Sequence, residues 1–134
     1  MNTNKEKQPT NLSECFDLLD EILNESEDKD WFESSSEEEV LNSTHHALGE
    51  WIRNSWNLWD KKSLVYQHFY KMGLWHPDDI STFILRSYHR FINKKELDLS
   101  IQIDRYIEYW KEYQKQYGPI NKQSKYQKFY EVRF

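Results

Sequence analysis

Cysteine, glycine and proline are scarce in this 134-residue chain, with one Cys, three Gly and three Pro. The single thiol, Cys15, excludes an internal disulfide and a cysteine-based zinc cluster. Set in "ECFDLLDEIL", it reads as a buried, inert thiol. So few breakers speak against a turn-rich β-sandwich and for helices. They also leave no phosphate-cradling glycine loop and no G-x-S-x-G turn, which argues against loop-based nucleotide binding and serine-type nucleophilic catalysis. No run approaches the ~18 apolar residues of a membrane span. The opening "MNTNKEKQPTN" has no apolar stretch of a signal peptide. We therefore expect a soluble cytoplasmic protein without a membrane partner.

Aromatic residues and charge are abundant instead. Six Trp, nine Tyr and seven Phe make up 16% of the chain, and 31% of residues are charged. Large rings bury much area per side chain, which lets so polar a sequence hold one core. The length suits one domain. Charge is unevenly placed. Residues 1–50 carry 14 Asp/Glu against 3 Lys/Arg, and residues 51–134 carry 9 against 15, for a net charge of -5. Either the acidic half folds back on the basic half, or it offers an acidic face to a basic partner.

Periodicity predicts about five helices. Residues 1–10 are polar and read as a disordered leader. The first helix follows in "PTNLSECFDLLDEILNES", with Asn11 and Glu14 at capping-box spacing and Leu12, Phe16, Leu19 and Ile22/Leu23 as its stripe. Residues 24–36 read as an acidic loop pinned by Trp31 and Phe32. "SSEEEVLNSTHHALGEWIRNSWNLW" reads as one long second helix, capped by Ser36 with Glu39, its inner side formed by Leu41, His45, Leu48, Ile52, Trp56 and Trp59. Gly49 within it implies close approach of another backbone or a ring. A third helix spans roughly 63–72 and stops at Gly73. The fourth starts near Pro77, with Asp78 and Asp79 favouring the positive end of the helix dipole. Ile80, Phe83, Ile84, Tyr88 and Phe91 point inward, and Leu85 and Ile92 widen the arc, which makes this helix the central one. The fifth runs from a cap at Asp98 to Gly118 and Pro119, burying Ile103, Tyr106/Ile107, Trp110, Tyr113 and Tyr117. We read residues 11–118 as one all-α domain, and 119–134 as a basic, aromatic tail packing on it.

Two segments, "LGEWIRNSWNLW" (48–59) and "HPDDISTFILRSYHRF" (76–91), together resemble the paired motifs of a family of small bacterial proteins classed only as a domain of unknown function. The resemblance covers roughly residues 12–110, including "ECFDLLDEIL". It implies no activity, cofactor, partner or site residue.

The candidate chemistry lies in those segments. His45, His46, His76, Asp78, Asp79 and His89 are metal-ligand types, yet they show no H-E-x-x-H spacing, and the adjacent histidines diverge by about 100° on a helix. No metal and no cofactor is expected. A polar stripe on the fourth helix holds Asp79, Thr82, Arg86, His89, Arg90 and Asn93. Asp79 and Arg86 lie about 10.5 Å apart along the axis, too far to pair but well placed to line a groove. Arg53 and Asn54 sit among rings in "WIRNSW". In the structural reading Arg53 stacks on Trp and bonds Asp78 or Asp79 as a lock. In the binding reading Arg53, Arg86 and Arg90 form an anion pocket between the second and fourth helices, with His76 or His89 as donor. The tail "KYQKFYEVRF" mixes cations and rings, as single-strand nucleic-acid binders do, but the net negative charge argues against nucleic acid. The leading expectation is a non-enzymatic protein that binds another protein, with toxin neutralisation of the immunity type as one form. The alternative is a small-ligand or anion-binding protein, or an enzyme, using Arg53, Asn54, His76, Asp78, Asp79, Arg86, His89 and Arg90.

Overall fold

A computed structural model describes residues 7–24 and 27–120. Among them the chain is helical, with no strand, and forms seven helices where the sequence suggests five: α1 (Leu12–Asn24), α2 (Lys29–Ser34), α3 (Glu37–Thr44), α4 (Leu48–Ser55), α5 (Leu64–Met72), α6 (Pro77–Ile92) and α7 (Leu99–Tyr117).

Local chemistry starts most of them. The Asn11 side chain accepts from the Glu14 N–H at 2.9 Å, while Glu14 reaches back to the N–H and hydroxyl of Thr10 rather than to Asn11. Ser36 caps α3 through the Glu39 N–H, and Ser63 caps α5 through the Tyr66 N–H. Each satisfies an otherwise orphaned amide. Gly73 ends α5 at φ 112, and a Cβ there would come within 3.0 Å of Ile107 Cδ1, so α7 lies directly on the turn. Such a left-handed residue without a side chain is what this stop requires.

Two elements depart from the sequence expectation. Residues 29–34 are a short helix, with Phe32 buried, inside the expected loop. The expected long second helix is broken between Thr44 and Leu48 into α3 and α4. Thr44 Oγ1 donates to the Val40 carbonyl at 2.7 Å, and the Ala47 N–H turns back to the Thr44 carbonyl. Back-bonding of this kind bends helices, and after the break both α3 and α4 pack against α6.

α6 is the centre. It packs against α1, α2, α3, α4 and α7. Its apolar side joins a core that includes Leu19, Phe32, Ile52, Trp56, Phe69, Ile80, Phe83, Ile84 and Tyr88. Tyr88 meets Phe16 and Phe32 at ring distances of 5.7 and 5.6 Å, and its hydroxyl donates to Asp20 at 2.6 Å. Cys15 lies fully buried in the same core, and burial, then the charge of Glu14, pushes its thiol pKa upward. Trp75 and Trp110 form a second, smaller cluster with Tyr113 and Ile120.

Three residues expected inside are partly outside. Trp59, Phe91 and Tyr117 are exposed, each sitting at or beyond the end of its helix. Phe91 still stacks on Phe16 at 5.0 Å. Residues 7–10, expected in the leader, lie on the fold. Gln8 donates to the Ser55 carbonyl at 2.8 Å, and Pro9 is buried. The tail beyond residue 120, and its expected packing on the domain, fall outside the described residues.

Candidate functional site

The α6 start is built from its own sequence. His76 is the N-cap, its Nδ1 accepting from the Asp78 N–H at 3.0 Å, and Pro77 takes the first helical position. With Nδ1 as acceptor, the ring proton sits on Nε2. The ring is fully buried and lies parallel to Trp110, centroids 5.7 Å apart. "HPDD" thus initiates a helix and supplies two carboxylates that hold neighbouring elements.

Asp78 turns to α4, where its Oδ1 lies 3.4 Å from Arg53 Nε, both side chains being largely buried. Arg53 also donates to Ser81 Oγ at 2.9 Å and to the His45 carbonyl at 3.2 Å. Ser81 passes the chain on by donating to the Asp78 carbonyl. Gly49 makes room for this network. A Cβ there would stand 3.1 Å from Arg53 Nη1 and 3.3 Å from the Thr44 carbonyl, so the approaching groups are a guanidinium and the backbone of α3, and not a ring. Asp79 turns to α7, accepting from Trp110 Nε1 at 2.9 Å.

Arg86 and Arg90 do not join Arg53. Both meet Glu37 on the first turn of α3, Arg86 Nε at 3.1 Å and Arg90 Nε at 2.7 Å. Burial works to raise the Glu37 carboxyl, but the Arg90 and Arg86 guanidinia outweigh it and hold the pKa below its ordinary value. Arg90 further donates to the Leu97 carbonyl. His89 is buried on the same side, donating from Nε2 to the Ser35 carbonyl at 2.8 Å. Asn54 is exposed on α4, away from these bonds. His45 and His46 meet edge to face at 4.9 Å. Among the described residues, no three His, Cys, Asp or Glu side chains gather in a way that could hold a metal ion.

Asp79 and Arg86 do share a space, with α7 and not with α4. A half-open groove of about 290 Å³ between α6 and α7 is lined by Asp79, Arg86, Gln102, Arg105, Tyr106 and Tyr109. Gln102 is 2% exposed, and its Nε2 donates to Ser87 Oγ and to the Leu97 carbonyl. A carbonyl can only accept, so the amide orientation is fixed. The Oε1 atom is then left without a donor among the described residues. An unmet buried acceptor of this kind costs about 1–3 kcal/mol. Arg86 is held by Glu37 on one edge and by the Tyr106 hydroxyl at 3.3 Å on another. The sequence pointed to Asp79 and Arg86, but α7 showed only its apolar spacing there. Gln102 and Arg105 have no motif, and the one available signal was their place on the polar side of a helix facing the Asp79–Arg86 stripe.

These interactions can join α3, α4, α6 and α7 and can present mixed charge to a bound group in the groove. Neither curated proteins nor solved structures give a match. A family model does match residues 8–92, which takes in α1 to α6 and both tryptophan- and histidine-containing motifs. The chain belongs to that family, described as Domain of unknown function (DUF6794).

Proposed function

We propose that this is a non-enzymatic interaction protein that binds another protein through the outer side of α7. One observation carries the proposal. Ile101, Arg105 and Tyr109 recur every four residues on one side of α7, and all three are exposed. Residues so spaced form a continuous helix stripe. Aromatic and arginine side chains are the types that most often dominate binding energy at protein interfaces. By contrast Arg53, Asp78, Arg86, Arg90 and His89 are engaged within the fold. Their bonding supports a scaffold role. Neutralisation of a toxin is one concrete form of this function, supported by small size and a net charge of -5.

Affinity capture from the native host, read by mass spectrometry, tests it. The wild-type chain should retain one stoichiometric protein that a double variant, Ile101→Asp with Tyr109→Asp, loses while melting at a similar temperature. Equal retention by the variant would remove α7 from the interface. Recovery of a bound small anion and no stoichiometric protein would favour the competing small-ligand reading, for which the α6–α7 groove is the supporting feature.

A further inference from the structure

Resting on that reading, we infer that the α6–α7 groove receives an acidic side chain of the partner, its carboxylate between Arg86 and Arg105 and the adjoining peptide against Gln102. Three independent features favour this ligand. Arg53, Arg86 and Arg90 each have an acidic partner, whereas Arg105, on the same groove, has none among the described residues. Arg86 is steadied through Nε and Nη1, which leaves its Nη2 hydrogens for a bound anion in a preset orientation. Guanidinium groups held in this way suit planar carboxylates. Gln102 lines the groove as well, and its buried Oε1 lacks a donor among the described residues.

Asp79 sharpens the choice. It lines the same groove as a further hydrogen-bond acceptor, so an occupant that pairs a carboxylate with a donating nitrogen meets acceptors and cations in turn. The volume of about 290 Å³ admits one side chain with its peptide group and is at the small end of ligand pockets. Tyr109 forms an exposed wall shared with the α7 stripe, so the groove and the proposed protein-binding surface are continuous.

The test is an NMR titration of the full ¹⁵N-labelled chain with acetyl-Gly-Glu-Gly-amide, its glutamine counterpart and sodium acetate. The glutamate peptide should shift the Gln102 side-chain amide and the Arg105 Nε–H, and bind about fivefold more tightly than the glutamine peptide. Arg105→Gln, an exposed substitution whose folding the same spectra verify, should abolish that preference. Equal response to both peptides, full reproduction of the response by acetate, or an unchanged preference in Arg105→Gln overturns the assignment. Capture of the native partner separates the two proposals. A partner held equally by wild type and Arg105→Gln sinks the groove assignment alone. Selective glutamate-peptide binding by a chain that captures no protein sinks the interaction reading and leaves a carboxylate site.

Discussion

At the scale of single residues, Arg53 shows how much of a fold can rest on one guanidinium. It joins the α4 side chain to Asp78, to Ser81 and to the backbone before the α4 start. Arg53→Met should cost about 3–5 kcal/mol in urea denaturation, because it leaves a largely buried carboxylate without that cation. Gly49→Ala gives a sharper sign test. On an exposed helix this change gains about 1 kcal/mol. Here the new methyl meets Arg53 Nη1 and the Thr44 carbonyl at 3.1 and 3.3 Å, and the guanidinium is bonded in place. A net loss of about 1–3 kcal/mol is expected instead. The caps Asn11 and Ser36 were legible in the sequence because a cap and its amide lie within three residues. The pairing of Arg53 with an aspartate of "HPDD" was legible as a possibility from residue type. Ser81 was not, since a small hydroxyl on a helix has many uses and its partner lies 28 residues away. Glu37 has no sequence motif that marks it, and its arginines lie 49 and 53 residues on.

At the scale of elements, α6 and α7 depend on each other. The Trp110 ring covers His76, and its Nε1 donates to Asp79, so the start of α6 is sealed by the middle of α7. Trp110→Phe retains a ring but removes that donor. We expect a loss of about 1–3 kcal/mol by denaturation, together with faster hydrogen exchange along α7. The centrality of α6 was legible because its apolar arc is wide. Its polar stripe was harder to place. A helix with one polar side ordinarily turns that side to water, but here Arg86 and Arg90 are met by α3 and Asp79 by α7. The break between α3 and α4 had no proline to mark it, and the six residues of α2 are too few to display a helical period. Both come from wrapping short segments around α6, which is a tertiary requirement.

For the molecule as a whole, Glu37 makes stability depend on pH. Its carboxyl is held below the ordinary value, so folding binds it preferentially in the ionised form. The stabilisation is therefore present above the unfolded pKa and is lost as pH falls through the folded one. Thermal melts of wild type and Glu37→Gln should differ at neutral pH, with the variant lower, and should converge in acid once pH has fallen through the lowered folded-state pKa. A gap that stays constant down to acid would mean that Glu37 acts by packing and not by charge. The burial of Cys15 has a practical consequence. It is the chain's only thiol, fully enclosed where α1 meets the core, so an alkylating reagent has one target and reaches it only when that region lifts. The rate of adduct formation, read by intact mass, is a built-in stopwatch for α1 opening. A bound partner that tightens the core should slow it without touching the sulfur.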